Sequence, residues 1–233
     1  SESGQAKVLQ NIGKCQFKLY FVYFAPYNKR HKGGEVLKII AEGDSIVIRK
    51  MEARAEDFQL FLRWMTDPET MKYWEGMTEH FTYERVVKEY WQTAEEGAQQ
   101  CIIEYNQLPI GFCQFYQVLS AADYEVPDDQ YKKFVAPSEI VYGIDIFLGE
   151  VSFRNRGIGT QSIILLLKAL FETMGADIVL IDPKVHNARA IRCYHKAGFE
   201  DYFIAPHREL QDGIYHDSLI MGVRTPNKQD DKD

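Results

Sequence analysis

The sequence lacks any apolar run long enough to cross a bilayer as a helix. Its most membrane-like stretch, Leu19 to Ala25, carries Tyr20, Phe21, Tyr23 and Phe24 but falls far short of the ~20 apolar residues a span needs. Lys14 and Lys18 precede it as they would in a secretory leader, yet Pro26 and Tyr27 make a poor cleavage region and Lys29 to Lys32 is strongly basic. The expectation is a cytoplasmic chain with no membrane partner. Cysteine is scarce. Cys15, Cys101, Cys113 and Cys193 include no C-x-x-C pair, and the histidines add no metal-ligand spacing to them. They read as reduced, partly buried thiols, and no metal site is expected. An excess of positive charge is also missing: the net charge is −7, whereas duplex binding relies on Lys and Arg neutralising phosphates. A cationic partner suits such a chain better than a nucleic acid. No internal repeat is present.

What is there is ordinary for a globular protein, with 45% hydrophobic and 26% charged residues in 233. That length favours one catalytic domain with appendages. Residues 1–45 have a different texture from the rest and read as an extension, residues 46–224 as the domain, and residues 225–233 as a charged tail. Ile46 to Arg49 begins a strand. Phe58, Phe61, Leu62 and Met65 follow at the spacing of an amphipathic helix, and Tyr83, Val86, Val87, Tyr90 and Trp91 repeat it. Cys101 to Tyr105 and Ile110 to Val118 read as an antiparallel hairpin. A long polar loop from Ser120 to Pro137 carries Asp123, Glu125, Asp128 and Asp129 ahead of Lys132.

A βαβ unit comes next: a strand Glu139 to Leu148, a helix Gly157 to Met174, and a short apolar strand Ile178 to Ile181. A second helix, Ala188 to Ala197, stops at Gly198, and Tyr215 to Val223 reads as the last strand. Between the first strand and helix lie Arg154, Asn155, Arg156, Gly157, Ile158, Gly159 and Thr160. Gly157 and Gly159 remove side chains so that successive N–H groups can face one diphosphate, the helix N-terminus adds partial positive charge, and Arg154 and Arg156 can add charged contacts. The turn is neither a G-x-G-x-x-G dinucleotide turn, since Ser162 stands at the third glycine position, nor a Walker loop. An ordinary strand-to-helix turn is the alternative reading. After the buried strand come Asp182, Pro183, Asn187, Ala190, Ile191, Tyr194, Ala197, Gly198 and Phe199 at helical spacings.

Taken together, R-N-R-G-I-G-T and N-A-R-A-I-R-C-Y-H-K-A-G-F resemble the GNAT N-acetyltransferase superfamily. The resemblance implies an α/β (α+β) fold, with a mixed, twisted sheet whose central strands splay apart and helices on its faces. It implies acetyl-CoA as co-substrate, its diphosphate on Arg154, Arg156, Gly157, Ile158, Gly159 and Thr160. The pantetheine would pair with the strand at Phe147 and Leu148, and Asn187 would hold it or cap the helix. Tyr194 would protonate the leaving thiolate, and a backbone N–H near Phe147 would polarise the thioester carbonyl.

A narrower resemblance, from Ile46 to Val223, is to the aminoglycoside 6'-N-acetyltransferases. It rests on Met65 to Pro68, on Tyr73 to Gly76, on I-I-E-Y-N-Q-L-P-I-G, on E-I-V-Y-G-I-D-I-F-L-G-E, and on Asp182 with Pro183. It implies Asp145 as general base and Asp182 as a ligand of the cationic acceptor. A base is needed because an amine arrives as ammonium, with no lone pair to attack with. Trp74 would line the acceptor cleft, with Tyr142 a weaker candidate on the Asp145 strand. The loop carboxylates Asp123 and Glu125 would attract a small polycationic amine such as an aminoglycoside. A monomer or a homodimer is expected. Other acceptors remain open at this point: a protein N-terminus, a polyamine or a siderophore precursor. So does a non-catalytic acyl-CoA-binding module.

Overall fold

The fold was obtained as a computed structural model, which describes residues 27–30, 36–92 and 97–226. The run Leu19 to Ala25 and the end of the charged tail lie outside them. One nine-stranded sheet organises the chain, in the order β1-β2-β3-β4-β5-β6-β7-β9-β8. The strands are β1 (Tyr27–Arg30), β2 (Val36–Glu42), β3 (Ile46–Lys50), β4 (Ala98–Tyr105), β5 (Leu108–Val118), β6 (Val141–Leu148), β7 (Ile178–Ile181), β8 (Glu200–Gln211) and β9 (Ile214–Arg224). All neighbours are antiparallel except β6 and β7. Residues 36–42, expected in an extension, pair with β3 and bury Ile39 and Ala41, so the sheet begins before residue 46.

Helices cover both faces. On one lies α5 (Ile158–Glu172), whose Ile163, Leu166, Leu167 and Leu170 meet Ile144, Val179 and Ile181. On that side too is α6 (Ala188–Lys196), with Tyr194 as its buried residue. On the other face α1 (Ala55–Met65), the single turn α2 (Pro68–Met71), α3 (Tyr83–Val87) and a π-helical turn at Lys88–Gln92 bury Phe58, Phe61, Trp64 and Met65 against Phe112. The tight turn between β4 and β5 has positive φ at Asn106 and Gln107, the twist a two-residue hairpin needs.

A charged triad lies inside this second face. The Arg49 guanidinium donates to both oxygens of Asp57 at 2.7 and 2.8 Å and to Glu104 at 2.7 Å, and all three residues are buried. Burial alone would push the Asp57 carboxyl up, but its hydrogen bonds and charge interaction with Arg49 outweigh that and hold it below the ordinary value.

The expected polar loop is not simply polar. Ala121, Tyr124, Val126 and Val135 are buried beneath it with Val118, Val141 and Ile220, and a short helix, α4 (Asp128–Tyr131), crosses it. Its acidic residues point outward: Asp123 and Glu125 are exposed, and Asp128 pairs with Lys132.

Candidate functional site

Strands β6 and β7 pair over Val141↔Ile178, Tyr142↔Val179 and Gly143↔Leu180 and then part. β6 continues to Leu148, paired through Phe147 and Leu148 with β5 alone among the described strands. Asp145 sits just past the divergence. Cross-strand register sets Gln114 directly opposite it, and the Gln114 amide donates to Asp145 Oδ2 at 2.8 Å. Burial pushes the Asp145 carboxyl up, as does the nearby Glu209, while the Gln114 hydrogen bond and the Arg208 charge pull it down. The net direction is upward. A carboxylate raised in this way is a stronger base than one in water.

Alternation along β6 decides which neighbours share this face. Phe147, two residues on, packs edge-to-face on Trp74 with ring centroids 4.8 Å apart. Trp74 Nε1 donates to the Tyr90 hydroxyl at 3.4 Å, and that hydroxyl donates to Glu75 at 2.7 Å. Trp74 is half-buried, so one part of its indole is fixed in the wall while another remains accessible. Tyr142 corrects the sequence expectation. One residue out of phase with Asp145 and Phe147, it is buried on the opposite face against Phe115 and carries no exposed hydroxyl toward an acceptor. Glu139, expected to open the same strand, lies two residues before β6 begins, is ion-paired with Arg224 and accepts the Ala136 N–H.

The turn before α5 is shaped as the glycines require. Gly157 is left-handed, with φ +79°, no atom lies within 4 Å of where a Cβ would be, and no side chain caps the helix. The first N–H groups of α5 therefore take no side-chain acceptor from the chain, which suits a diphosphate. Thr160 Oγ1 is 3.2 Å from Cys193 Sγ, so the turn touches α6 one residue before Tyr194. Tyr194 is buried. Burial raises its phenol pKa first, and the charges of Cys193 and Asp145 add to the rise. The phenol thus stays protonated within the field of Asp145.

The two arginines of the turn separate in role. Arg154 is turned inward, donating to the Leu148 carbonyl at 2.8 Å and to Thr70 Oγ1 at 2.8 Å, so it ties the turn to β6 and α2. Arg156 is exposed, its guanidinium over the Phe153 ring. Asn187 caps α6, its side chain accepting the Ala190 N–H at 3.2 Å.

Residues missed in the sequence lie around the sequence candidates Asp182 and Trp74. Asp182, at the end of β7, is held by Arg208 and by the Tyr124 hydroxyl, the latter at 3.4 Å. Glu209 pairs with the buried Lys184 at 2.5 Å, and Lys184 also reaches the Tyr73 and Trp74 carbonyls at 3.4 Å. At the tip of the β8–β9 hairpin, Gln211 donates to the Met71 and Lys72 carbonyls and Asp212 accepts from Thr78 at 2.7 Å. The charges of Arg208 and Glu209 act on Asp145, whereas Asp123 accepts the Leu119 N–H and its charge acts on Tyr131. Of the missed residues, Arg208, Glu209 and Gln211 lie on β8, whose charged, proline-containing sequence gives no clear strand period. Arg189, also missed, lies over the Tyr73 ring at 5.3 Å, and its charge acts on both Arg154 and Tyr194.

The acetyltransferase (GNAT) domain model matches residues 53–203, more than half of the chain. The chain belongs to the GNAT acetyltransferase family. Among curated relatives, the aminoglycoside N(6')-acetyltransferase type 1 of Klebsiella pneumoniae is 31% identical over 159 residues, covering 67% of this acetyltransferase and 75% of the relative. An aminoglycoside acetyltransferase solved with ribostamycin and coenzyme A superposes with a TM-score of 0.63 at 25% identity, over 82% of this chain and 99% of that one. A spermidine N-acetyltransferase from Vibrio cholerae, solved with CoA and spermine, has a TM-score of 0.60 at 14% identity over 77% and 95% of the two chains, a likeness of fold alone. Among the described residues no helix is long and apolar enough to cross a membrane.

Proposed function

We propose that this acetyltransferase moves acetyl from acetyl-CoA to the 6'-amine of an aminoglycoside in the cytoplasm. The observation that carries the reading is the parting of β6 and β7 beside the uncapped start of α5, with Asp145 just past the divergence and its charge acting on the buried Tyr194 of α6. The identity to aminoglycoside N(6')-acetyltransferases supports the acceptor.

Acetyl-CoA, when bound, supplies an activated acetyl thioester. The N–H groups of Ile158, Gly159 and Thr160, with exposed Arg156, hold its diphosphate. Arg154 acts indirectly by fixing the turn to β6. The strand edge at Phe147 and Leu148 receives the pantetheine amides. Asp145, oriented by Gln114, takes the proton that the acceptor nitrogen sheds as its bond to the acetyl carbon forms. Tyr194 gives its phenol proton to the sulfur as the carbon–sulfur bond breaks. Trp74 offers an aromatic face to the sugar, and Asp182 lies where a second ammonium of a polycation would be drawn.

The acceptor assignment is tested by thiol release with a panel of kanamycin, spermidine, an N-terminal peptide and a hydroxylated diamine. Turnover is expected with kanamycin well above the other three. Activity with one of those and none with any 6'-amino aminoglycoside would overturn the substrate.

The donor site makes a separate prediction. Replacing Gly157 by Asp forces a side chain into a left-handed backbone and sets a negative charge against the diphosphate. The KM for acetyl-CoA is expected to rise by about tenfold or more, with the acceptor KM nearly unchanged. An unaltered acetyl-CoA KM in steady-state assays would remove the turn from the donor site.

A further inference from the structure

Arg208 lies outside the residues that do chemistry, yet it occupies Asp182. Its guanidinium pairs with Asp182 Oδ2 through one arm and donates to the Tyr124 carbonyl at 2.9 Å through the other, with the group 5.1 Å from the Tyr124 ring centre. Asp182 Oδ1 accepts from the Tyr124 hydroxyl. Each oxygen of the carboxylate therefore has a partner within the chain. An ammonium approaching Asp182 meets a carboxylate already neutralised, and the gain from pairing with it is small while Arg208 stays in place.

The backbone that carries Arg208 is suited to release it. Between the pairs Ala205↔Ser218 and Glu209↔His216, residues 206–208 of β8 face Asp217 alone. His207 in this bulge has a positive φ of 51°. The His207 N–H donates to Asp217 Oδ1 at 2.8 Å and holds the bulge to β9, so the Arg208 side chain can leave Asp182 without the loss of a regular ladder pair.

We infer that Arg208 is a specificity-determining residue, an internal surrogate for an acceptor ammonium that a polycationic acceptor must displace from Asp182. The inference rests on the acceptor reading given above. Acceptors with a second ammonium placed to reach Asp182 compete with Arg208, whereas acceptors with a single amine leave it undisturbed. The apparent affinity for the first class is reduced by the fraction of molecules in which Asp182 is covered.

The test compares wild type, Arg208→Gln, Asp182→Asn and the double variant in steady-state assays with kanamycin and with 6-amino-6-deoxyglucose, a monoamine sugar. If the uncovered state is about a tenth of the population, Arg208→Gln lowers the kanamycin KM about tenfold and leaves the monoamine KM unchanged, while the loss of the Arg208 charge from beside Asp145 shows as an equal change in kcat for both acceptors. In the Asp182→Asn background the same substitution leaves the kanamycin KM unchanged. Equal falls for both acceptors, a fall that persists without the Asp182 charge, or an unchanged or higher kanamycin KM would each overturn the proposal. Should Arg208→Gln fail to fold, Arg208→Lys serves. Its point charge cannot fork between Asp182 and the Tyr124 carbonyl, so the kanamycin KM is expected to fall by a smaller factor, and an unchanged KM overturns the proposal. A wild-type enzyme inactive on every 6'-amino aminoglycoside removes the acceptor reading and this inference together. An active wild type whose variants disobey the pattern removes only the inference.

Discussion

Replacing Asp145 by Asn is expected to cut kcat by ~10² or more while leaving the KM for acetyl-CoA nearly intact. Asn keeps the shape and can still accept the Gln114 amide proton, so the wall between Gln114 and Phe147 stays in place. What it loses is the ability to take a proton from the acceptor nitrogen. The pH profile of the wild type offers a second check on the same residue. Burial raises the Asp145 carboxyl, and the base works only when deprotonated. Activity is therefore expected to fall as pH drops through a value above the ordinary carboxylate range, and the acid limb should vanish in the Asn variant. A full rate in Asp145→Asn, or an acid limb that survives in it, would remove the residue from proton transfer.

The second large effect concerns stability. Replacing Arg49 by Met leaves Asp57 and Glu104 buried without their cation, and the expected loss is about 3–5 kcal/mol in urea unfolding, a fall in Tm on the order of 10 °C. Converting the whole triad to Met, Leu and Leu should recover much of that loss, because hydrophobic residues of similar volume carry no desolvation penalty. The sign of the pH dependence follows from Asp57, whose folded carboxyl lies below its ordinary value. Its contribution is present above the unfolded pKa and disappears as pH falls through the folded one. A triple variant no more stable than Arg49→Met would show that packing, not charge, governs the site.

The parts of the fold that were legible in the sequence are those whose period is carried by burial. Ile163, Leu166, Leu167 and Leu170 announce α5, and the four apolar residues of β7 match its observed bounds. The family resemblance read from the diphosphate turn and the Tyr194 helix agrees with the family model. The edge strand β8 was not legible. Pro206, two register shifts and outward charges leave it without a period of two, and with it Arg208 and Glu209 went unnoticed. Gln114 escaped for a different reason, since its role comes from register across two strands rather than from anything local. Tyr142 shows the opposite error, where membership of the Asp145 strand made it a candidate although strict alternation puts it on the other face, packed against Phe115. In the loop before β6 the acidic residues drew attention, although Tyr124, buried between Asp123 and Glu125, is the one that reaches Asp182.

The hairpin of β8 and β9 supplies Arg208 and Glu209, and its tip also grips the backbone of Met71, Lys72 and Thr78 on either side of Trp74. Insertions or deletions between residues 206 and 214 would consequently alter ionic complementarity and the aromatic wall in one genetic step. On the acceptor reading proposed here, a single excursion of the chain could be exchanged wholesale to change acceptor preference, with the β6, α5 and α6 elements left in place.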